Sequence, residues 1–146
     1  MSIQKLWESE EVPYISGIFY ENGTVYKINV IRKRNNTAIQ FDEVDILSNI
    51  HVPDSDYLTS IDSTAIIEFS ELATNFTAHA GYGGMGDMGF VSLLSKGVVK
   101  WMAFFLESNP FERISYRSGN LYATNNLGEQ WVFPINFPEK VWVLTD

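Results

Sequence analysis

The 146-residue chain contains no cysteine. Disulfide frameworks, thiolate nucleophiles and cysteine-held metals are thereby excluded, and the absence suits a reducing cytosol. Histidine is nearly absent too: His51 and His79 are the whole supply. Two histidines with carboxylates at many positions allow a metal site without specifying one. No apolar run approaches the roughly 20 residues of a membrane-spanning helix. The N-terminal stretch Met1-Ser-Ile-Gln-Lys-Leu-Trp-Glu-Ser-Glu-Glu lacks the apolar centre of a signal peptide. A cytoplasmic location is the expectation.

Positive charge is also scarce. Ten Lys and Arg face eighteen Asp and Glu, for a net charge of -8. The deficit is local: no Lys or Arg occurs between Arg34 and Lys96, while that interval holds nine carboxylates, Asp42, Glu43, Asp45, Asp54, Asp56, Asp62, Glu68, Glu71 and Asp87. Such a field disfavours nucleic acid and anionic membranes and favours a basic partner, and it also serves solubility. The small basic cluster of Lys27, Arg32, Lys33 and Arg34 reads as charge at a strand end.

What is present in quantity is aromatic and β-branched. Aromatic residues make up 14% of the chain, which argues against disorder, and the length suits one domain over residues 1–146 with a core of its own. Val12–Tyr20 reads as a strand with a bulge at Gly17, Glu21-Asn22-Gly23 as a hairpin turn, and Thr24–Arg32 as an alternating strand. The apolar residues Val44, Ile46, Leu47 and Ile50 are spaced roughly as on a helix, predicting a short one over Asp42–Asn49. Thr64–Phe69 has strand character, with one helical turn possible over Glu68–Ala73. Val98–Leu106 reads as a central strand buried on both faces. Trp101, Phe104, Phe105, Trp131 and Phe133 are expected in the core. Pro134 and Pro138 place the end of the Trp131–Ile135 strand near a sheet edge. The fold class expected is mainly β: an antiparallel meander, sandwich or partly open barrel with one or two short helices, or, as the alternative, α+β.

Half of the ten glycines fall in one stretch, His79–Phe90, at Gly81, Gly83, Gly84, Gly86 and Gly89. The spacing is wrong for a phosphate loop: no helix or Lys follows, and Asp87 would repel phosphate. A wide hairpin loop or bulge is the expectation, its glycines supplying positive φ or letting another backbone approach. Tyr82, Met85 and Met88 add adaptable apolar surface and Asp87 adds charge. No nucleophile-elbow pattern accompanies the histidines. Asp54-Ser55-Asp56 begins like a calcium loop but lacks its Gly and Glu; with Asp62 it reads as a solvated loop. No cofactor is indicated.

Three segments carry a resemblance: Gly83-Gly-Met-Gly-Asp-Met-Gly-Phe-Val-Ser-Leu-Leu, then Trp101-Met-Ala-Phe-Phe-Leu-Glu-Ser-Asn-Pro-Phe111, then Asn125-Asn126-Leu-Gly-Glu-Gln-Trp131. Over roughly residues 79–133 the chain resembles the small bacterial immunity proteins of contact-dependent growth inhibition and related polymorphic toxin systems. The resemblance implies a non-enzymatic cytoplasmic protein that binds a cognate toxin domain, a basic nuclease by charge, and blocks it. The contact residues expected on surface chemistry are Asp42, Glu43, Asp45, Asp54, Asp56, Tyr82, Met85, Asp87 and Met88. A small-molecule-binding or hydrolytic β-barrel with the Gly81–Gly89 loop at its mouth is the alternative, and an edge-pairing assembly module the third. A deep apolar pocket holding His79 and a carboxylate would favour the barrel reading; a flat or convex acidic face would favour inhibition.

Overall fold

The computed structural model describes residues 2–32, 39–48 and 58–144; for Arg32 and residues 39–48 the backbone alone is described. A short helix α1 (Ile3–Glu8) leads into β1 (Glu11–Pro13). Three antiparallel meanders follow. The first is β2 (Gly17–Tyr20), β3 (Thr24–Arg32) and β4 (Ile39–Ser48). The second is β5 (Leu58–Glu71), β6 (Thr74–Gly83), β7 (Gly89–Ser95) and β8 (Val98–Phe105). The third is β9 (Phe111–Arg117), β10 (Asn120–Asn125), β11 (Gln130–Pro134) and β12 (Trp142–Leu144), with a 3-10 turn at Pro138–Lys140.

The first two meanders fuse where β2 pairs with β8, Gly17 opposite Phe104 and Tyr20 opposite Trp101. The result is a curled seven-stranded antiparallel sheet, a half-barrel, extended to eight by β1 on the outer side of β5. The third meander is a separate four-stranded sheet in the order β12-β11-β10-β9. Its edge strand β9 packs against β5 and β6, and its other edge, β12, touches β4. The small sheet therefore spans the concave side of the half-barrel. The mainly β expectation holds, with a single short α-helix among the described residues.

Two apolar clusters lie on opposite faces of the large sheet. The concave one joins Ala78, Val91, Leu93, Trp101 and Phe105 to Phe111, Leu121, Trp131 and Phe133 of the small sheet. The convex one gathers Phe19, Met88, Phe90, Leu94, Met102 and Phe104, with Ile3 and Trp7 of α1 packed on it. Strand β8 contributes to both, so the strand predicted as buried on two faces is so. Covering the convex face depends on α1. Its N-terminus is capped by Ser2, whose Oγ accepts from the Lys5 N–H at 3.2 Å. Gln4 then clips it to the sheet, accepting from the Val99 N–H at 2.8 Å and donating to the Gly97 carbonyl at 3.0 Å.

The helix predicted over Asp42–Asn49 is corrected: this segment is strand β4. Its register explains the false signal. Lys27 lies opposite Asp45 and Ile28 opposite Glu43, so Val44 is an extra residue in a bulge. A one-residue bulge breaks the period of two and leaves apolar spacing that imitates a helix. The helical turn over Glu68–Ala73 is likewise corrected, since β5 continues to Glu71 and a two-residue turn follows. Asp62 belongs to β5 rather than to a loop. Gly17 makes no bulge: a Cβ there would stand 2.4 Å from the Tyr26 carbonyl oxygen, so the position serves close strand packing. In the Glu21-Asn22-Gly23 turn only Gly23 takes positive φ, at 92°, while Asn22 Oδ1 accepts from the Thr24 N–H. Pro134 lies in an inner strand, but beyond the stretch of β11 that pairs with β12, where no ladder bond on that side is lost.

The tight hairpins use paired positive-φ residues. Lys96-Gly97 and Ser118-Gly119 place glycine second, whereas the β5–β6 turn consists of Leu72 (φ 49°) and Ala73 (φ 66°). Both carry a Cβ into the left-handed region, which costs roughly 1–2 kcal/mol per residue. Leu72 is also 92% exposed, so no burial offsets the strain. Replacing Ala73 with Gly should raise stability by about 1 kcal/mol, seen as a higher urea midpoint at unchanged slope; a lower midpoint would remove the strain argument.

Candidate functional site

The glycine-rich stretch is mostly strand. β6 runs through Gly83 and β7 begins at Gly89, leaving a five-residue connection, Gly84–Met88. None of its glycines has positive φ. Their role is close approach instead. A Cβ at Gly81 would lie 1.9 Å from the Asp62 carbonyl oxygen and 2.8 Å from the Phe90 ring; one at Gly89 would lie 2.4 Å from the Asn109 carbonyl oxygen. Gly81 sits opposite Ser63 where Thr64 bulges out of β5, and Thr64 Oγ1 donates to the Phe111 carbonyl of the small sheet at 2.6 Å. The glycine therefore permits the bend that brings the two sheets together.

The connection is pinned at both ends. The Gly84 N–H donates to Thr59 Oγ1 at 3.2 Å, and the Asp87 carbonyl accepts from the Asn109 N–H at 2.7 Å. Of the contact residues expected here, Tyr82, Met85 and Asp87 are exposed. Met88 is a correction: it is 2% exposed, packed in the convex cluster, because the chain must turn back under its own apolar side chain to start β7. Asp42, Glu43 and Asp45 lie on β4, where backbone alone is described; Asp54 and Asp56 lie outside the described residues. The structure thus brings the loop residues together and places β4, the strand of Asp42, Glu43 and Asp45, at the far edge of the sheet beyond β7, β8, β2 and β3.

It joins the loop residues to other carboxylates. Glu11 stands opposite Ser60, Asp62 opposite Tyr82, and the Ile61 N–H donates to the Glu10 carbonyl. Asp62, Asp87 and Glu10 are exposed, Glu11 half-buried, and none has a cationic partner among the described residues. Sequence reading missed Glu10 and Glu11 because they precede the glycine stretch by about 70 residues, and only the β1–β5 pairing brings them near.

Beside this rim an open groove of about 670 Å³ runs between α1 and the β5–β6 hairpin. Trp7, Ile61 and Leu94 form its apolar lining, and Glu8, Glu10 and Asp62 its acidic part. Within it Ser63 Oγ lies 2.9 Å from His79 Nδ1, and the His79 ring meets Trp7 edge-on at 4.8 Å. No carboxylate is hydrogen-bonded to His79 among the described residues, so the third member that orients a catalytic base is missing. Across the ladder from His79, and so on the same face, Ser92 has a fully buried Oγ without a partner. The three carboxylates are spread along the groove; among the described residues no three His, Asp or Glu side chains converge as metal ligands. The Gly84–Met88 connection does not line the groove. A second cleft of about 600 Å³, lined by Tyr20, Phe76, Leu93, Trp101 and Ile135, lies between the sheets and offers one ion pair, Lys100–Glu21 at 3.4 Å.

Partial burial lowers the pKa of His79 below its ordinary value of 6.5, because desolvation penalises the imidazolium. Tyr20 and Tyr116 are raised: Tyr20 by burial and its hydrogen bond to Glu139, Tyr116 by its hydrogen bond to Glu71.

Comparison with protein-family models, with curated proteins and with solved structures finds no match. No helix among the described residues is long and apolar enough to cross a membrane.

Two outcomes follow from this geometry. Gly81→Ala should destabilise by several kcal/mol, on the order of 3 or more, because its Cβ collides with backbone that cannot move without opening the bulge; a near-normal thermal midpoint would show that the approach is not required. The second concerns pH. The folded state holds His79 neutral while the unfolded chain protonates near 6.5, so folding loses stability as pH falls below that value. Thermal melts of His79→Phe should show a shallower decline between pH 7 and the folded pKa than the unaltered chain.

Proposed function

We propose that the chain is an immunity-type protein: a non-enzymatic, cytoplasmic bacterial inhibitor that binds a cognate toxin domain through acidic surface complementarity, the toxin being a basic nuclease. The observation that carries the reading is the rim at one end of the large sheet. There the exposed Tyr82, near the end of β6, and Met85, on the pinned connection, stand among Glu10, Glu11, Asp62 and Asp87, with no described cation to neutralise them. Aromatic and methionine anchors surrounded by one sign of charge suit a tight protein interface, and the charge speeds encounter with a basic surface. Pinning by Thr59 and Asn109 lowers the cost of ordering the loop on binding.

A hydrolytic reading draws on the Ser63–His79 hydrogen bond, and the groove supplies the His79-with-carboxylate neighbourhood that such a reading wanted. Against it stand the lack, among the described residues, of a carboxylate on His79 and the position of Ser63 within a strand, away from any strand-to-helix elbow. A fluorophosphonate probe should leave Ser63 unlabelled.

The inhibitor reading predicts that a large secreted protein with a variable C-terminal domain is encoded beside the gene, and it is tested by co-expression with that domain. The unaltered chain should restore growth. Converting Glu10, Glu11, Asp62 and Asp87 to their amides should slow association about 10-fold or more at low salt and flatten its ionic-strength dependence. Unchanged association and salt dependence would sink charge matching, and failure to restore growth would sink the immunity reading.

A further inference from the structure

We infer that the groove between α1 and the β5–β6 hairpin is an arginine receptor, taking one Arg side chain of the protein partner, an inference that rests on the inhibitor reading above. Three features of the groove converge on this class of ligand. First, its lining is divided: the half-buried Trp7 and the exposed Ile66 offer apolar surface to an aliphatic stem, while Glu8, Glu10 and Asp62 await a cationic head. Second, the carboxylates come from different elements, α1 and its following turn on one side and β5 on the other, and do not converge on a point. That spread suits a planar fork donating in several directions better than a compact metal ion or ammonium. Third, the polar groups on its sheet face are not cationic: Ser63 and His79 bond each other, and partial burial favours the neutral imidazole. Among the described residues no Lys or Arg lines the groove.

The groove is larger than one side chain, and its volume of about 670 Å³ leaves room for the flanking backbone of a partner loop. It also adjoins the rim, sharing Glu10 and Asp62 with it. An arginine anchored here would set the orientation in which the partner meets Tyr82, Met85 and Asp87.

The probe is N-acetyl-arginine methylamide, titrated into the full chain with the Trp7 indole and His79 imidazole NMR signals as readouts. Its neutral isostere, N-acetyl-citrulline methylamide, is the control. Saturable shifts at both residues in the millimolar range are expected with the arginine compound, and none with citrulline. The Glu10→Gln/Asp62→Asn variant alters two exposed side chains and should stay folded, with affinity at least 10-fold weaker. Equal binding of citrulline, no saturable shift at Trp7 and His79, or undiminished affinity in the folded variant would each overturn the receptor. Should protection from the toxin persist while arginine fails to bind, the groove inference falls alone; should arginine bind without any protection, the inhibitor reading falls and the groove stands as a guanidinium site.

Discussion

Strands β7 and β8 are apolar on both faces, and that constraint organises the molecule. A sheet whose centre cannot tolerate water on either side must be covered twice. The concave side receives a whole second sheet, which brings Trp131 and Phe133 against Phe105. Among the described residues the convex side receives α1, a helix six residues long. So short a helix has little stability of its own. It holds because Ser2 caps it, Gln4 ties it to the β7–β8 hairpin, and Leu6 and Trp7 bury their surface on the strands. The groove exists because this cover is incomplete: α1 reaches Phe90 and His79 but stops short of Ile66, which remains 58% exposed.

Much of the architecture was legible in the sequence. Turn pairs such as Lys96-Gly97 and the doubly apolar run Val98–Phe105 carry their meaning locally, since a turn needs its own residues and a buried strand its own hydrophobicity. What was hidden is non-local. The bulge at Val44 disguises β4, because period-two reasoning fails wherever one strand has an extra residue. The Leu72-Ala73 turn has no glycine or asparagine to announce it. The glycines of Gly81–Gly89 were visible, but their purpose was not: the backbone oxygens they make way for belong to Asp62 and Asn109, 19 and 20 residues away in sequence.

The candidate site was legible only in part. Tyr82, Met85 and Asp87 are exposed as surface chemistry suggested, whereas Met88 turned inward to the core. Glu8 and Glu10 could not be connected with His79 without the placement of α1, and a histidine flanked by strand residues reads as ordinary until Ser63 appears 2.9 Å from it. Charge counting located the acidic half of the chain correctly. It could not say which carboxylates face the same solvent.

The seam between β2 and β8 has a consequence for how the chain is made. Residues 17–20 find their inner neighbour only at residues 101–104. During synthesis the β2–β3–β4 meander leaves the ribosome first and must wait, with one edge of β2 unpaired, until roughly the last third of the chain is being added. Long-range pairing of this kind slows folding and leaves strand edges open to other chains meanwhile. The acidic surplus is concentrated in the first 87 residues, thirteen carboxylates against five Lys and Arg. It lies outside the waiting meander, whose residues 17–48 hold four carboxylates against four Lys and Arg, so the unpaired edge of β2 has no net charge of its own to repel other copies.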